Sequence, residues 1–133
     1  MWRFIKGYPF SILFVLTVSY VSLIQPPVFK IPLFPGWDKW VHFGMYGGLS
    51  GVIWIEYLVK RRKKKISIMR AMIAPVTIPV LFGGMIELCQ HYFTRYRSGD
   101  WMDFLANIAG VITATFIAWY ILRPRIIQRK LRP

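Results

Sequence analysis

The stretch IELCQHYFTRYRSGDWMDFLAN, residues 86–107, joins the end of one long apolar run to the start of the next. It contains a glutamate, a glutamine, a histidine, two arginines, two aspartates and an asparagine. Charged and polar groups are costly in apolar surroundings unless they are paired or reach water. Two apolar helices that meet at this turn would present these groups at the same end. We therefore expect them to share one polar region.

The composition of the whole chain favours a membrane protein with a single domain, residues 1–133. Hydrophobic residues make up 56% of the 133 positions, and the mean hydropathy is +0.43. The net charge is +13, with 18 basic against 5 acidic residues. Because the basic residues lie between apolar runs, they favour contact with anionic lipid headgroups, and we expect no nucleic-acid partner. The single cysteine, Cys89, excludes an intrachain disulfide.

Four apolar segments are long enough to cross a bilayer, which needs about 17–25 residues per helix. They cover residues 8–24, 40–59, 71–91 and 101–122. The six tryptophans fall at or near the segment ends, where amphipathic rings meet headgroups. The predicted fold is therefore all-α, a polytopic four-helix transmembrane bundle. The first segment is expected to be a retained helix, because SLIQPPVF, which follows it, contains no small-residue cleavage site.

The distribution of basic residues predicts the orientation of these spans. Fourteen of the eighteen lie in the N-terminal segment, the loop 60–70 and the tail 123–133. The positive-inside rule then places both termini and this loop in the cytoplasm. The loops that contain Lys30, Lys39, Arg95 and Arg97 would lie outside.

With this orientation, most acidic side chains and both histidines lie at the outer end. Four of five acids and both histidines are there: Asp38, Glu87, Asp100, Asp103, His42 and His91. Helical spacing aligns three sets: Asp38, His42 and Tyr46; Glu87, Gln90 and His91; Asp103, Asn107 and Gly110. We expect the three polar faces to point at each other. The fifth acid, Glu56, is expected to pair with Lys60 one turn later.

Small residues and prolines predict how these helices pack. The second span contains Gly44-xxx-Gly48 and Gly47-xxx-Gly51, and the fourth contains the series Ala106, Gly110 and Ala114. Such patterns let helix backbones approach closely. Pro75 and Pro79 interrupt the hydrogen bonds of the third span and favour a kink.

Three motifs together resemble the VanZ-like family over residues 35–115. They are D-K-x-x-H-F-x-x-Y (Asp38 to Tyr46), E-x-x-Q (Glu87 and Gln90) and R-x5-D-x3-N-x-x-G (Arg97, Asp103, Asn107 and Gly110). The resemblance implies a small four-helix protein of the bacterial cytoplasmic membrane and cell envelope. The family is named after a protein associated with low-level resistance to teicoplanin, and the resemblance implies no particular reaction. The chain has TRY before Arg97, where members often have Pro-Gly.

Glu87 is the acid that a structural role explains least, because a negative charge near a helix C-terminus opposes the helix dipole. It is expected to be protonated or to pair with Arg97, Lys39 or His42, either of which perturbs its pKa. A buried ion pair that only fixes helix register is the alternative. Asp100 is expected to cap the fourth span.

The candidate site residues fall into two groups. Candidate catalytic residues are Glu87, His42 and Asp38. Candidate ligand-binding residues are Arg97, Lys39, Asp103, Asn107, Gln90 and Tyr46. Asp38, His42, Glu87 and Asp103 have the donor types that suit zinc or manganese. The chain contains no HExxH or CxxC motif, however, so we predict no metal site and no cofactor.

Three functions are compatible with such a site, and the sequence leaves open whether the protein is an enzyme. The sequence favours the first, which is binding or handling an anionic amphiphile, such as a lipid-linked cell-wall intermediate or a lipoglycopeptide like teicoplanin. The outer end supplies acids, bases and cations, but no nucleophile or metal motif indicates a particular reaction. The second is catalysis on lipid headgroups by a Glu/Asp–His acid–base pair. The third is a structural or assembly subunit without a ligand. Membrane lipids are the expected partners in each case.

Overall fold

A computed structural model describes residues 7–24, 33–62, 67–93 and 100–128, and all regular structure in these ranges is helical. The helices are α1 (Pro9–Ile24), α2 (Trp37–Arg61), α3 (Ile68–Phe93) and α4 (Trp101–Ile117), which continues through a π-helical turn (Ala118–Leu122) into α5 (Arg123–Gln128). The predicted all-α class is confirmed, and each predicted apolar segment lies on one of these helices.

Two of the helices are long and apolar enough to cross a membrane, Ile68–Phe93 and Trp101–Ile127. α1 is apolar but has only 16 residues. In α2, the charged residues Lys39 and Glu56 bracket the apolar part of the helix and shorten its uncharged length. The structure therefore gives an all-helical chain with two candidate spans by length and composition.

The most extensive helix–helix contact joins α2 to α4, and two glycines permit it. A Cβ on Gly110 would lie 2.2 Å from the Phe43 carbonyl oxygen and 2.9 Å from the Gly47 nitrogen. Side chains at this crossing would force the helices apart. Of the predicted small-residue positions, Gly44 and Gly51 face open space, and Gly48 lies against the Phe14 ring of α1.

α3 stays helical through both of its prolines because a neighbouring helix supplies a missing donor. Pro79 has no N–H to donate to the carbonyl of Pro75, four residues earlier. The Ser50 hydroxyl of α2 donates to that carbonyl instead, over 2.8 Å. Both prolines are fully buried, so this bond satisfies an acceptor that water does not reach.

The two ends of the helical assembly have different interiors. At the basic end, where α2 ends and α3 begins, an apolar cluster contains Trp54, Leu58, Ala71 and Ala118. The Trp54 indole N–H donates to the Thr115 hydroxyl at 3.1 Å. At the polar end, where α3 ends and α2 and α4 begin, the buried side chains include several ionisable and amide groups.

Glu56, near the basic end, has a different role from the predicted pair with Lys60. Its carboxylate accepts from the backbone N–H groups of Phe10 (2.9 Å) and Ser11 (3.3 Å), and from the Ser11 hydroxyl. The first N–H groups of a helix have no intrahelical acceptor, so Glu56 caps α1 from α2. Lys60 instead places its ammonium 3.4 Å from the centre of the Tyr8 ring.

Candidate functional site

Three helices contribute the buried polar side chains of the polar end. His42 comes from α2, Glu87 from α3, and Asp103 and Asn107 from α4. Each is less than 9% exposed, and His42 and Asn107 are fully buried. The close crossing at Gly47 and Gly110, one turn further along each helix, holds α2 and α4 near enough for this meeting.

His42 is the centre of the group, since its two ring nitrogens face different carboxylates. Nδ1 lies 3.1 Å from Oδ1 of Asn107 and 3.6 Å from Oε1 of Glu87. Nε2 lies 3.6 Å from Oδ2 of Asp103. An amide oxygen only accepts hydrogen bonds, so Asn107 favours a proton on Nδ1. In the neutral ring, Nε2 then carries the lone pair that faces Asp103.

Lys39 covers the cluster from the rim and contacts three carboxylates. Its ammonium is 2.9 Å from Asp38, 3.2 Å from Asp103 and 3.3 Å from Asp100. The hydrogen bond that Lys39 donates to Asp38 contributes most to the raised pKa of Lys39, and the same bond lowers the pKa of Asp38. Both groups lie outside the predicted span 40–59. Lys39 is therefore a charged bridge among acids at this end.

Asp100 joins the ends of two helices in addition to its predicted capping role, which the structure confirms. Its side chain accepts from the Met102 N–H at 2.9 Å, which is the main cause of its lowered pKa. Its own backbone N–H donates to Oε2 of Glu87 at 3.2 Å. The residue before α4 thus holds the carboxylate at the end of α3. The sequence predicts the cap alone, because nothing in it places the Asp100 N–H beside Glu87.

Two buried donors beside the cluster have no hydrogen-bond partner in the described part of the chain. They are the Tyr46 hydroxyl and Nδ2 of Asn107. Both side chains pack over Gly83, where an added Cβ would lie 3.0 Å from the Tyr46 ring and 3.1 Å from Nδ2 of Asn107. Gly83 is four residues before Glu87 and so lies on the same helix face. That spacing is the sequence signal that could have identified Gly83 as a neighbour of the polar cluster.

The remaining predicted site residues lie at the edge of this cluster or beyond it. Asp38 contacts Lys39, and its side chain is 45% exposed, so it lies at the rim. The buried Gln90 donates to the Ser22 carbonyl at 2.9 Å and so links α3 to α1. Arg97 lies outside the described residues. The structure therefore brings together His42, Glu87, Asp103 and Asn107, with Tyr46 and Lys39 next to them.

The model of the family described as VanZ/LLP1 matches residues 2–123. The chain belongs to this family. No curated protein and no solved structure matches the chain. The VanZ/LLP1 match covers α1 as well as the three helices that carry the predicted motifs. Membership of this family, together with apolar helices, indicates a membrane protein.

The three VanZ-like motifs supply the polar end from three separate helices. His42 lies in the first motif, Glu87 in the second, and Asp103 and Asn107 in the third. An imidazole between two carboxylates can take up a proton, hold it and release it again. A polar group bound within hydrogen-bonding distance of the imidazole could exchange that proton. The same donor types can also bind a cation.

Proposed function

We propose that the chain is a four-span protein of the bacterial cytoplasmic membrane, with both termini in the cytoplasm and the polar end at the outer leaflet. The concentration of basic residues in the loop 60–70 and in the two terminal segments supports this orientation. The exposed apolar side chains support the membrane environment, since α1, α3 and α4 present Leu13, Leu81 and Phe116 outward at 62–69% exposure. α1 would cross with flanking residues that complete its length.

The function that the polar end supports best is acid–base chemistry on the headgroup of a membrane amphiphile. The observation that carries this proposal is the buried His42 ring between the carboxylates of Glu87 and Asp103. Glu87 or the imidazole would take a proton from a headgroup hydroxyl or a water molecule. Asp103 would hold the ring in position and stabilise the imidazolium that forms.

Binding of an anionic amphiphile without turnover is the second candidate. A lipid-linked cell-wall intermediate or a lipoglycopeptide such as teicoplanin would be the ligand. Lys39 favours this candidate, because its side chain is one-third exposed at the rim. Three carboxylates already neutralise that ammonium, however. Direct anion binding would therefore depend on Arg97, and the acid–base proposal is the stronger of the two.

The test uses the full-length protein reconstituted into vesicles that contain bacterial phospholipids and a lipid-linked cell-wall precursor. Mass spectrometry of the extracted lipids measures headgroup conversion, and co-purified lipid measures binding. We expect conversion by the wild type, retained lipid binding without conversion for Glu87→Gln, and wild-type behaviour for the exposed control His91→Ala.

The alternatives predict different outcomes in the same experiment. Lipid binding without conversion by the wild type, weakened in Arg97→Lys, would support the binding function. Neither binding nor conversion by a well-folded wild type would support a purely structural subunit. Equal conversion by the wild type and Glu87→Gln would refute the assigned chemistry.

A further inference from the structure

His42, Glu87 and Asp103 can each direct one ligand atom toward a single point. These three atoms lie within 4.8 Å of one another, and all three residues are buried. Zinc–nitrogen and zinc–carboxylate bonds are about 2.0–2.2 Å, so two ligands of one ion are roughly 3–4 Å apart. Small side-chain rotations would close the group around an ion. The three ligands come from α2, α3 and α4, so no sequence motif within one helix would reveal them.

Each ligand is also anchored by a second partner through its other polar atom. Glu87 directs Oε1 toward His42, and its Oε2 accepts from the Asp100 N–H. Asp103 directs Oδ2 toward the ring, and its Oδ1 contacts Lys39 at 3.2 Å. Such anchoring of the second atom is typical of metal ligands, whose orientation and basicity it fixes.

The imidazole follows the same pattern. Nδ1 of His42 is 3.1 Å from the acceptor oxygen of Asn107, and this contact fixes the tautomer in which Nε2 carries the lone pair. Metal-bound histidines usually donate their other ring N–H to an oxygen in this way. A cation on Nε2 would lie on the side of the ring that Asp103 faces. Glu87, whose Oε1 lies 3.6 Å from Nδ1, would have to rotate toward that ion.

Charge balance favours a divalent ion. Glu87 and Asp103 carry two negative charges when ionised, and both are more than nine-tenths buried. A neutral His42 adds none, so one divalent cation neutralises the group. Among the described residues, the Lys39 ammonium contacts Asp103 and is shared with Asp38 and Asp100.

The unpartnered donors beside the ligands provide an independent observation. Nδ2 of Asn107 and the Tyr46 hydroxyl are fully buried and have no acceptor among the described residues. Asn107 already contacts the ring through its other amide atom. A metal with three protein ligands keeps an open position for a water molecule or a substrate oxygen. A water molecule or substrate oxygen held beside the ligands would supply the acceptor that these donors lack.

We propose that His42, Glu87 and Asp103 bind one divalent cation of the zinc or manganese class, with an open position for a water molecule or a substrate oxygen. The donor set of one imidazole and two carboxylates suits these ions. The role of the ion rests on the function proposed above, because it would polarise a headgroup oxygen or a bound water at the same site. Binding of the ion itself does not depend on that function.

The test measures manganese binding to the full chain in mild detergent, after removal of metal with a chelator and desalting. Electron paramagnetic resonance reports free Mn²⁺ during the titration. We expect one equivalent to bind, and Glu87→Gln and Asp103→Asn each to weaken binding by at least about tenfold. His91→Ala removes the exposed histidine at the end of α3 and should bind as the wild type does.

Electron spin-echo envelope modulation of Mn²⁺ bound to the wild type detects coordinated nitrogen without the need for a variant. A directly coordinated ¹⁴N, retained in His91→Ala, is the expected signal of His42. Failure of the wild type to bind a stoichiometric amount would overturn the proposal. Binding without a nitrogen ligand, or equal binding by the wild type and well-folded Glu87→Gln, would overturn it as well.

The metal proposal and the proposed function can fail separately. Stoichiometric metal binding without headgroup conversion would leave the metal site standing and refute the chemistry. Headgroup conversion that persists in chelated protein, and that Glu87→Gln abolishes, would refute the metal site and leave acid–base chemistry in place.

Discussion

Glu56 and Glu87 are both carboxylates within apolar helices, at opposite ends of the helical assembly, and their surroundings differ in kind. Glu56 accepts three hydrogen bonds from the first turn of α1, two of them from backbone N–H groups. Among the described residues, Glu87 accepts a backbone N–H from Asp100 and directs its other oxygen toward the ionisable ring of His42. The first carboxylate holds a helix in place, and the second faces another titratable group.

The comparison shows that burial of a carboxylate does not identify a functional site by itself. Donors fixed by a helix backbone hold Glu56 in one geometry. The imidazole and the second carboxylate near Glu87 form a group that can exchange protons or bind a cation. Four variants or conditions test this contrast, in descending order of expected effect.

Gly110→Ala should have the largest effect, because it separates the helices that assemble the polar end. The new Cβ would lie 2.2 Å from the Phe43 carbonyl oxygen. Because that atom belongs to the backbone of α2, the two helices would have to move apart. We expect a loss of stability of about 1–3 kcal/mol, measured by thermal unfolding in detergent. Gly44→Ala is the matched control, since nothing lies within 4 Å of its Cβ, and it should unfold as the wild type does. Equal effects of the two variants would refute the close crossing.

Glu56→Gln should destabilise the protein by about 1–2 kcal/mol, because it weakens the cap of α1. Glu87→Gln should cost less stability, since it also removes a buried charge, while it abolishes headgroup conversion and weakens metal binding. The pair is measured by unfolding and by the two binding assays. If Glu87→Gln lost more stability than Glu56→Gln, then Glu87, and not Glu56, would be the carboxylate with the structural role.

Ser50→Ala should cost about 1 kcal/mol, because it removes the only described donor to the Pro75 carbonyl. The contact lies between the two ends of the assembly, so its loss should leave Glu56 and Glu87 in place. Thr113→Ala is the control. The Thr113 hydroxyl donates to the Ala109 carbonyl of the same helix at an exposed position, so its loss should change stability less than Ser50→Ala does. Metal binding that falls in Ser50→Ala as far as in Glu87→Gln would show that the prolines of α3 position the site.

The smallest effect concerns pH. Lys39 lowers the pKa of Asp38, so this contact stabilises the protein above the ordinary carboxyl pKa of about 4 and loses that stabilisation as pH falls through the lowered value. The raised pKa of Lys39 keeps its side of the contact charged throughout the neutral range. The contact is partly exposed, so its contribution should stay below about 1 kcal/mol.

The check on this contact is the unfolding temperature between pH 7 and pH 3 for the wild type and Lys39→Met. The variant should start lower at neutral pH and fall less steeply on acidification. A steeper fall in the variant would contradict the sign of these shifts.

Periodic patterns in the sequence predicted much of the helical structure and the polar end. Apolar runs placed the segments, and an i, i+4 spacing put His42 and Tyr46 on one face, because that periodicity is a property of a single helix. The same reasoning aligned Asp103 with Asn107. It failed for Glu56, whose acceptor role depends on where α1 begins relative to α2.

By itself, therefore, the sequence determined which residues are helical, which faces are polar and which family the motifs resemble. The tertiary structure alone decided that Lys39 reaches Asp100 and Asp103, that Asn107 orients His42 and that Asp100 holds Glu87. The physical reason is that each of these contacts joins different helices. Their rotation and separation depend on close packing at Gly47 and Gly110, and helical periodicity carries no information about either.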